Sequence, residues 1–154
     1  ALNALIDKSD YRIYAIAGDG EIQEGQIWEA AMSAPHFHLS NLTLIIDNNG
    51  LQIDGNIKDV MSPYPIDQKF KAFGWHVLNI DGHDFYQIDD AMQEAEDNKK
   101  LPTVIIAKTI KGKGISFMEN NVDWHGETPD KEQYGAAMDE LNELLQKQED
   151  EPQC

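Results

Sequence analysis

Short apolar runs alternate with helix-forming segments along this chain, and the alternation is the feature that most restricts its fold. Near-continuous apolar strands separated by helices are typical of a parallel sheet that is covered on both faces. The pattern therefore predicts an α/β fold, a doubly wound and mostly parallel sheet with ligands bound at the carboxyl ends of its strands. The predicted strands are Arg12–Ala17, Leu42–Ile46, Val77–Ile80 and Pro102–Ala107, and the predicted helices are Gln23–His38, Ile66–Phe73, Tyr86–Asp97 and Asp130–Gln148.

The length of 154 residues fits one domain of ordinary size. We assign residues 1–148 to this domain and residues 149–154 to an acidic tail. Ala1–Leu5 resembles the end of a helix that leads directly into a strand expected to lie centrally in the sheet. A central parallel strand needs a neighbour on each side, so we expect the domain to be incomplete at its N-terminal side.

The net charge of −16, from 28 acidic and 12 basic residues, argues against nucleic acid or an anionic membrane as a partner. No apolar stretch approaches the ~18 residues that a membrane span needs. The only cysteine is Cys154, so an intramolecular disulfide is excluded, and we expect a cytoplasmic protein. An anionic ligand would need a metal ion or backbone donors to offset the acidity of the chain.

Polar clusters follow the first two predicted strands, at Gly18-Asp19-Gly20 and at Asp47-Asn48-Asn49-Gly50. Parallel strands end at the same edge of a sheet, so the two clusters are expected to be neighbours. The glycines of the first cluster permit a tight turn and close approach of the backbone to a ligand. The second of them also precedes a helix, whose free N–H groups favour a phosphate.

Asp19 offers a carboxylate oxygen, and Asn49 offers an amide oxygen 30 residues later. With diphosphate oxygens and water, these two ligands would complete the octahedral oxygen shell that Mg²⁺ prefers, with Ca²⁺ as an alternative. The metal would supply the positive charge that the chain lacks. Gly-Asp-Gly by itself is also typical of a plain turn after a strand, and Asp19 could simply cap the next helix.

The combined order of strand, Gly-Asp-Gly, helix, strand and Asn-Asn resembles the thiamine diphosphate signature. The segment GDGEIQEGQIWEAAMSAPHFHLSNLTLIIDNNGLQIDG (residues 18–55) resembles transketolases in particular. The segments IDGHD (80–84), AKTIKGKG (107–114) and WHG (124–126) resemble the same family, in the same order. The resemblance extends to about residue 148 and implies the pyrophosphate-binding N-terminal domain, or a split N-terminal subunit, of a transketolase.

This resemblance implies roles for individual residues. Asp19 and Asn49 would bind Mg²⁺ through side-chain oxygens, and Leu51 through its backbone carbonyl. Gly18 and Gly20 would lie against the diphosphate of thiamine diphosphate, and the N–H of Gly20 would donate to it. Asn49 would contact the cofactor as well as the metal.

Three further residues receive roles in the same way. Ile53 would pack against the thiazolium region of the cofactor, and Glu24 would join a carboxylate network at a subunit interface. His125, in Trp-His-Gly, would reach the diphosphate and act in catalysis on the substrate, which suits an imidazole near neutral pH. The ordinary alternatives are a first-turn acid favoured by the helix dipole for Glu24 and a plain loop histidine for His125.

The implied activity is transfer of a two-carbon ketol unit between sugar phosphates. Upstream histidines and a pyrimidine-binding domain, which carries the glutamate that protonates the cofactor, lie outside this sequence. A complementary pyrimidine-binding domain or subunit is therefore expected, in a homo- or hetero-oligomer, and catalysis by the chain alone is not. One alternative is a non-catalytic cofactor-binding or assembly module. Another is a related thiamine diphosphate synthase or 2-oxoacid dehydrogenase, although the segments Lys-Gly-Lys-Gly and Trp-His-Gly fit these enzymes less well than they fit transketolases.

The last predicted helix carries two signals of its own. Asp130 and Gln133 have the spacing of a capping box. One face of this helix forms an apolar stripe, which predicts packing against a core. The stripe consists of Tyr134, Ala137, Met138, Leu141, Leu144 and Leu145.

Overall fold

The computed structural model describes the backbone of residues 1–150 and the side chains of residues 1–147. The chain forms two compact units, of which the first is Ala1–Thr109 and the second begins at Ile110. The first unit contains α1 (Leu2–Ile6), β1 (Ile13–Gly18), a 3₁₀ turn (Glu21–Gln23), α2 (Gly25–His36), β2 (Leu42–Asn48), β3 (Leu51–Gln52), β4 (Gly55–Asn56), α3 (Ile57–Val60), α4 (Ile66–Phe73), β5 (His76–Asp81), α5 (Phe85–Asp97) and β6 (Thr103–Lys108).

Four strands form one parallel sheet in the order β1-β2-β6-β5, which confirms the predicted α/β architecture. Each strand lies within one or two residues of the apolar run that predicts it. The strand expected at the centre is an edge strand in the described part of the chain, because β1 pairs with β2 alone. Ile16 in this strand is 73% exposed.

The order of the strands explains why the sheet is covered on both faces. The chain moves in one direction from β1 to β2 and on to β5, and then turns back to β6. Right-handed crossovers place the helices before and after this reversal on opposite faces. Accordingly α2 and α4 contribute to one buried cluster, with Ala31, Ala34 and Phe70. The α5 residues Ala91 and Ala95 contribute to the other.

The second unit contains a 3₁₀ turn (Val122–His125) and the helix α6 (Lys131–Asp150). The predicted capping box is confirmed, because Asp130 Oδ1 accepts from the Gln133 N–H at 2.8 Å and Gln133 Oε1 accepts from the Asp130 N–H at 2.9 Å. Since α6 reaches Asp150, the first two residues of the predicted tail are helical. Residues 151–154 lie outside the described residues.

The prediction that the apolar stripe of α6 packs in a core is wrong for most of its members. Only Ala137 is buried. Tyr134, Met138, Leu141, Leu144 and Leu145 are exposed. Amphipathic periodicity predicts a face that is suited to burial, but it does not say whether the described chain covers that face. No helix in the part of the chain that the structure describes has the length and hydropathy to cross a membrane.

Candidate functional site

The register of the sheet brings the two polar clusters together. Gly18, the last residue of β1, is the direct partner of Asp47 in β2. The Asp19 N–H then continues the ladder and donates to the Asp47 carbonyl at 3.0 Å. The turn after β1 and the turn after β2 are therefore adjacent at the carboxyl edge of the sheet, as the pattern of strands predicts.

Asp19 is the buried carboxylate of this edge, with 1% of its surface exposed. Its Oδ2 atom accepts from the N–H of Gly50 at 2.7 Å, and this bond joins the two turns directly. Burial raises the pKa of Asp19 above its usual range, and the nearby charge of Asp47 raises the pKa further. Backbone N–H donors, that of Gly50 foremost, act in the opposite direction.

Asn49 is held by hydrogen bonds within its own turn. Its Oδ1 atom accepts from the N–H of Leu51 at 2.9 Å, and its Nδ2 atom donates to Asp47 Oδ2 at 3.1 Å. The other Asp47 carboxylate oxygen accepts from the hydroxyl of Thr109. Since Asp47 takes the amide N–H of Asn49, the orientation of the amide is fixed, with its oxygen on the side of Leu51.

The two glycines do not serve the conformational purpose that the sequence suggests. Gly20 has φ −71° and ψ −37°, which any residue adopts. A Cβ atom on Gly20 would lie 3.4 Å from the Gln52 side chain, an ordinary van der Waals contact, so neither the backbone conformation nor the described neighbours require glycine there. Gly18 has no neighbouring atom within 4 Å of such a Cβ, and its N–H donates to Glu21 Oε2 at 3.2 Å.

Glu24 and Ile53 are both accessible beside this edge. Glu24 is the N-cap residue of α2, and its exposed side chain makes no capping hydrogen bond. Ile53 lies in the turn between β3 and β4, with 68% of its surface exposed. Glu24 lines a cleft of about 530 Å³, whose wall also includes Gly20, Gln52, Met61 and Lys69.

Several residues of this edge carry no sequence signal that would identify them. The Tyr64 hydroxyl donates to Asn48 Oδ1 at 2.6 Å. Burial raises the pKa of Tyr64, and the charge of Asp19 raises it further. Gln23 and Gln52 bond to each other across the two turns. Their positions depend on the β3–β4 hairpin, whose strands have only two residues each and are too short to show the alternating pattern of a strand.

The residues present fit a divalent metal ion with a diphosphate. Asp19 and Asn49 supply hard oxygen atoms, and a buried carboxylate beside a second carboxylate favours a cation. Among the residues that the structure describes, no basic side chain forms an ion pair with Asp19 or Asp47. Nor do the described residues contain three or more His, Cys, Asp or Glu side chains grouped as a metal site, so the remaining ligands would come from the bound anion and water.

His125 belongs to the second unit. His125 is an exposed residue at the end of the 3₁₀ turn Val122–His125. The adjacent Trp124 is half-buried, and its Nε1 donates to the Phe117 carbonyl at 3.1 Å. The role of His125 in binding and catalysis remains a prediction.

The parallel sheet and the oxygen-rich carboxyl edge define an α/β domain of the cofactor-binding class. The family model described as "Transketolase, thiamine diphosphate binding domain" matches residues 3–142. The chain belongs to this family, which confirms the resemblance drawn from the motifs.

The chain is similar both to a subunit of a divided transketolase and to a longer, undivided transketolase. The chain is 42% identical to an apulose-4-phosphate transketolase subunit of Phocaeicola vulgatus, covering 98% of this chain and 54% of the relative. It is 39% identical to human transketolase, covering 91% of this chain and 22% of the relative. The chain thus spans about half the length of the bacterial relative. The transketolase structure from Campylobacter jejuni superposes with a TM-score of 0.82 at 34% identity, covering 88% of this chain and 21% of that one.

Proposed function

We propose that this chain binds the diphosphate end of thiamine diphosphate through Mg²⁺, as one part of a transketolase. In this proposal Asp19 and Asn49 hold the metal by their side-chain oxygens, and Leu51 holds it by its carbonyl. The N–H of Gly20 donates to the diphosphate, beside Gly18. Ca²⁺ is the alternative metal, because it accepts the same oxygen ligands.

One observation carries the proposal. The 2.7 Å hydrogen bond from Gly50 to Asp19 joins two turns across a separation of 31 residues, and the carboxylate lies beside the Asn49–Leu51 segment. The Asp19 carboxylate and the Asn49 amide thus belong to adjacent turns, and in this proposal the Leu51 carbonyl joins them as the third oxygen ligand. The family match supplies the identity of the anion, since the matching domain is described as binding thiamine diphosphate.

The rest of the cofactor site follows from the exposed residues around this edge. Ile53, with its exposed side chain, is suited to an apolar contact with the thiazolium region. Glu24 is exposed as well and is available for a carboxylate network with a partner chain. His125, in the second unit, is assigned to the diphosphate and the substrate by the transketolase resemblance of its Trp-His-Gly segment. When bound, the cofactor supplies the electron sink for breaking a carbon–carbon bond, while these residues bind and orient it.

A partner chain with a pyrimidine-binding domain completes the enzyme in this proposal, in a homo- or hetero-oligomer in the cytoplasm. Relatives that are themselves named as one subunit of a transketolase support a divided enzyme. The reaction is transfer of a two-carbon ketol unit between sugar phosphates. Two relatives are named for apulose 4-phosphate and for 6-deoxy-6-sulfo-D-fructose, which carries a sulfonate where a sugar phosphate has its phosphate, so both compounds are candidate substrates beside xylulose 5-phosphate.

Calorimetric titration of the purified chain with thiamine diphosphate and Mg²⁺ tests the binding step. We expect metal-dependent binding that Asp19→Ala and Asn49→Ala each weaken by tenfold or more, because each removes a metal ligand. Asp90→Ala, which removes an exposed carboxylate of α5, is the matched control and should bind as the wild type does. Unchanged affinity in both ligand variants would refute the assigned site.

Activity is tested on the chain together with its partner. We expect ketol transfer from a ketose donor and no decarboxylation of pyruvate. Pyruvate decarboxylation would instead favour a 2-oxoacid dehydrogenase. Cofactor binding without turnover, in a complex shown to contain the partner, would favour the non-catalytic module.

A further inference from the structure

A pair of glutamine side chains crosses from one turn of the candidate site to the other. Gln23 Nε2 donates to Gln52 Oε1 at 2.8 Å, and Gln52 Nε2 donates to Gln23 Oε1 at 3.1 Å. Both side chains are half-buried. The pair is reciprocal, so each amide uses both its donor and its acceptor on the other.

A third hydrogen bond fixes the orientation of the pair. Gln23 Nε2 also donates to the Met61 carbonyl at 2.7 Å. A carbonyl oxygen accepts only from a donor, so the NH₂ group of Gln23 must face Met61. The oxygen of Gln23 is then left for Gln52, and the network has one consistent arrangement.

The network spans the segments that carry the proposed ligands. Gln23 ends the 3₁₀ turn that follows Gly20, and Gln52 follows Leu51 in β3. The Gln52 side chain also lies beside Gly20, with its Cβ, Cγ and Cδ atoms 3.4–3.7 Å from the position that a Cβ on Gly20 would take. The pair thus links the segment after Gly20 to the segment after Leu51, and Gln23, Gln52 and Met61 line the same cleft as Gly20.

We propose that Gln23 and Gln52 are positioning residues, an amide clamp that holds the β3–β4 hairpin against the Gly-Asp-Gly turn before any ligand binds. The clamp fixes the separation between the diphosphate donor at Gly20 and the metal ligand at Leu51. Preorganisation of this kind strengthens binding, because the ordering of the loops is not left to the ligand. The effect on binding rests on the proposed function, whereas the holding of the hairpin does not.

Hydrogen exchange of the ligand-free chain tests the clamp directly. The Gly50 and Leu51 amides donate to side chains at the base of the hairpin, so they report its local opening. We expect Gln52→Met, which keeps the length but loses both hydrogen bonds, to speed exchange of these two amides about tenfold. The Ile105 amide in the sheet should not change, and neither should any of these amides in the control Gln93→Met on the exposed face of α5.

Calorimetry with thiamine diphosphate and Mg²⁺ tests the consequence for binding. Gln52→Met should raise Kd about tenfold, and Gln23→Met at least as much, since it also loses the bond to Met61. The double variant should bind no more weakly than Gln23→Met, because either substitution alone already breaks the pair. Independent contributions that add in the double variant would overturn the proposed effect of the clamp on binding.

The exchange result decides the clamp whatever the calorimetry gives. Unchanged exchange at Gly50 and Leu51 would overturn it. Exchange that rises equally at Gly50, Leu51 and Ile105 would also overturn it, since that indicates general destabilisation. Failure of the wild-type chain to bind would count against the proposed function alone.

Discussion

Asp19 is buried, although an ionised carboxylate is more stable in water. Its carboxylate is almost fully buried, lies near Asp47, and has backbone N–H donors but no basic partner among the described residues. Burial of a charge under these conditions costs stability. A buried charge without a basic partner is typical of a functional site, where a bound cation would offset the cost of burial.

We expect Asp19→Asn to stabilise the ligand-free chain by about 0.5–2 kcal/mol at neutral pH, since it keeps an acceptor for Gly50 without the charge. The raised pKa of Asp19 means that its cost to stability grows as pH rises above the ordinary value of 3.8. Below that value the carboxyl is protonated in both folded and unfolded states, so the difference should disappear. Urea denaturation of both proteins across this pH range measures it.

Asp90→Asn is the control for this stability measurement, because Asp90 is exposed on α5. It should leave the free energy of unfolding unchanged at every pH. A loss of stability in Asp19→Asn would show that the charge itself holds the two turns together.

The sequence predicts part of this site and not the rest, for a physical reason. The proximity of Asp19 and Asn49 follows from parallel strands whose ends share an edge. The contacts of Tyr64, Gln23 and Gln52 depend on the course of a short hairpin and on side-chain geometry, neither of which has a periodic signal.

At the scale of elements, Glu140 of α6 forms two hydrogen bonds with Ser116, which precedes the helix in the chain. Glu140 accepts from the Ser116 hydroxyl through Oε1 and from the Ser116 N–H through Oε2, both at 2.6 Å. The hydroxyl, and after it the N–H, lowers the pKa of Glu140 below its ordinary value of 4.5.

We expect Ser116→Ala to raise the pKa of Glu140 part of the way to its ordinary value, because the N–H donor remains. An NMR titration of the Glu140 carboxyl carbon measures the change. A folded-state pKa below the unfolded one gives stability that is present above pH 4.5 and is lost as pH falls through the lowered value. Ser33→Ala is the control, because the Ser33 hydroxyl donates to the Glu29 carbonyl, and it should leave the pKa of Glu140 unchanged. If Ser116→Ala also left the pKa of Glu140 unchanged, the lowered pKa would be due to the Ser116 N–H alone.

Elements were predictable where the pattern was long or chemically marked. The four strands and α4 follow from apolar runs and helical periodicity, and the start of α6 follows from its capping box. The hairpin β3–β4 and the four-residue α3 are too short for either signal. The exposed stripe of α6 shows that periodicity predicts a face, while burial depends on what lies against it.

At the scale of the whole molecule, the net charge of −16 opposes the binding of a diphosphate. We therefore expect EDTA to abolish the binding of thiamine diphosphate, and added Mg²⁺ to restore it. Calorimetry in EDTA, repeated with NaCl at the same ionic strength as the Mg²⁺ buffer, separates the specific metal from general screening. Binding that persists in EDTA, or that NaCl restores, would contradict a metal-bridged site.

The continuity of the site along the chain has a consequence for how such proteins can diversify. Asp19, Asn49 and the Gln23–Gln52 pair all lie within one β1-α2-β2 unit and the hairpin that follows it. A gene can be divided, fused or extended on either side of this stretch while these four residues stay on a single polypeptide. The shorter subunits and the longer transketolases that share this stretch then differ in the segments and domains on either side of it.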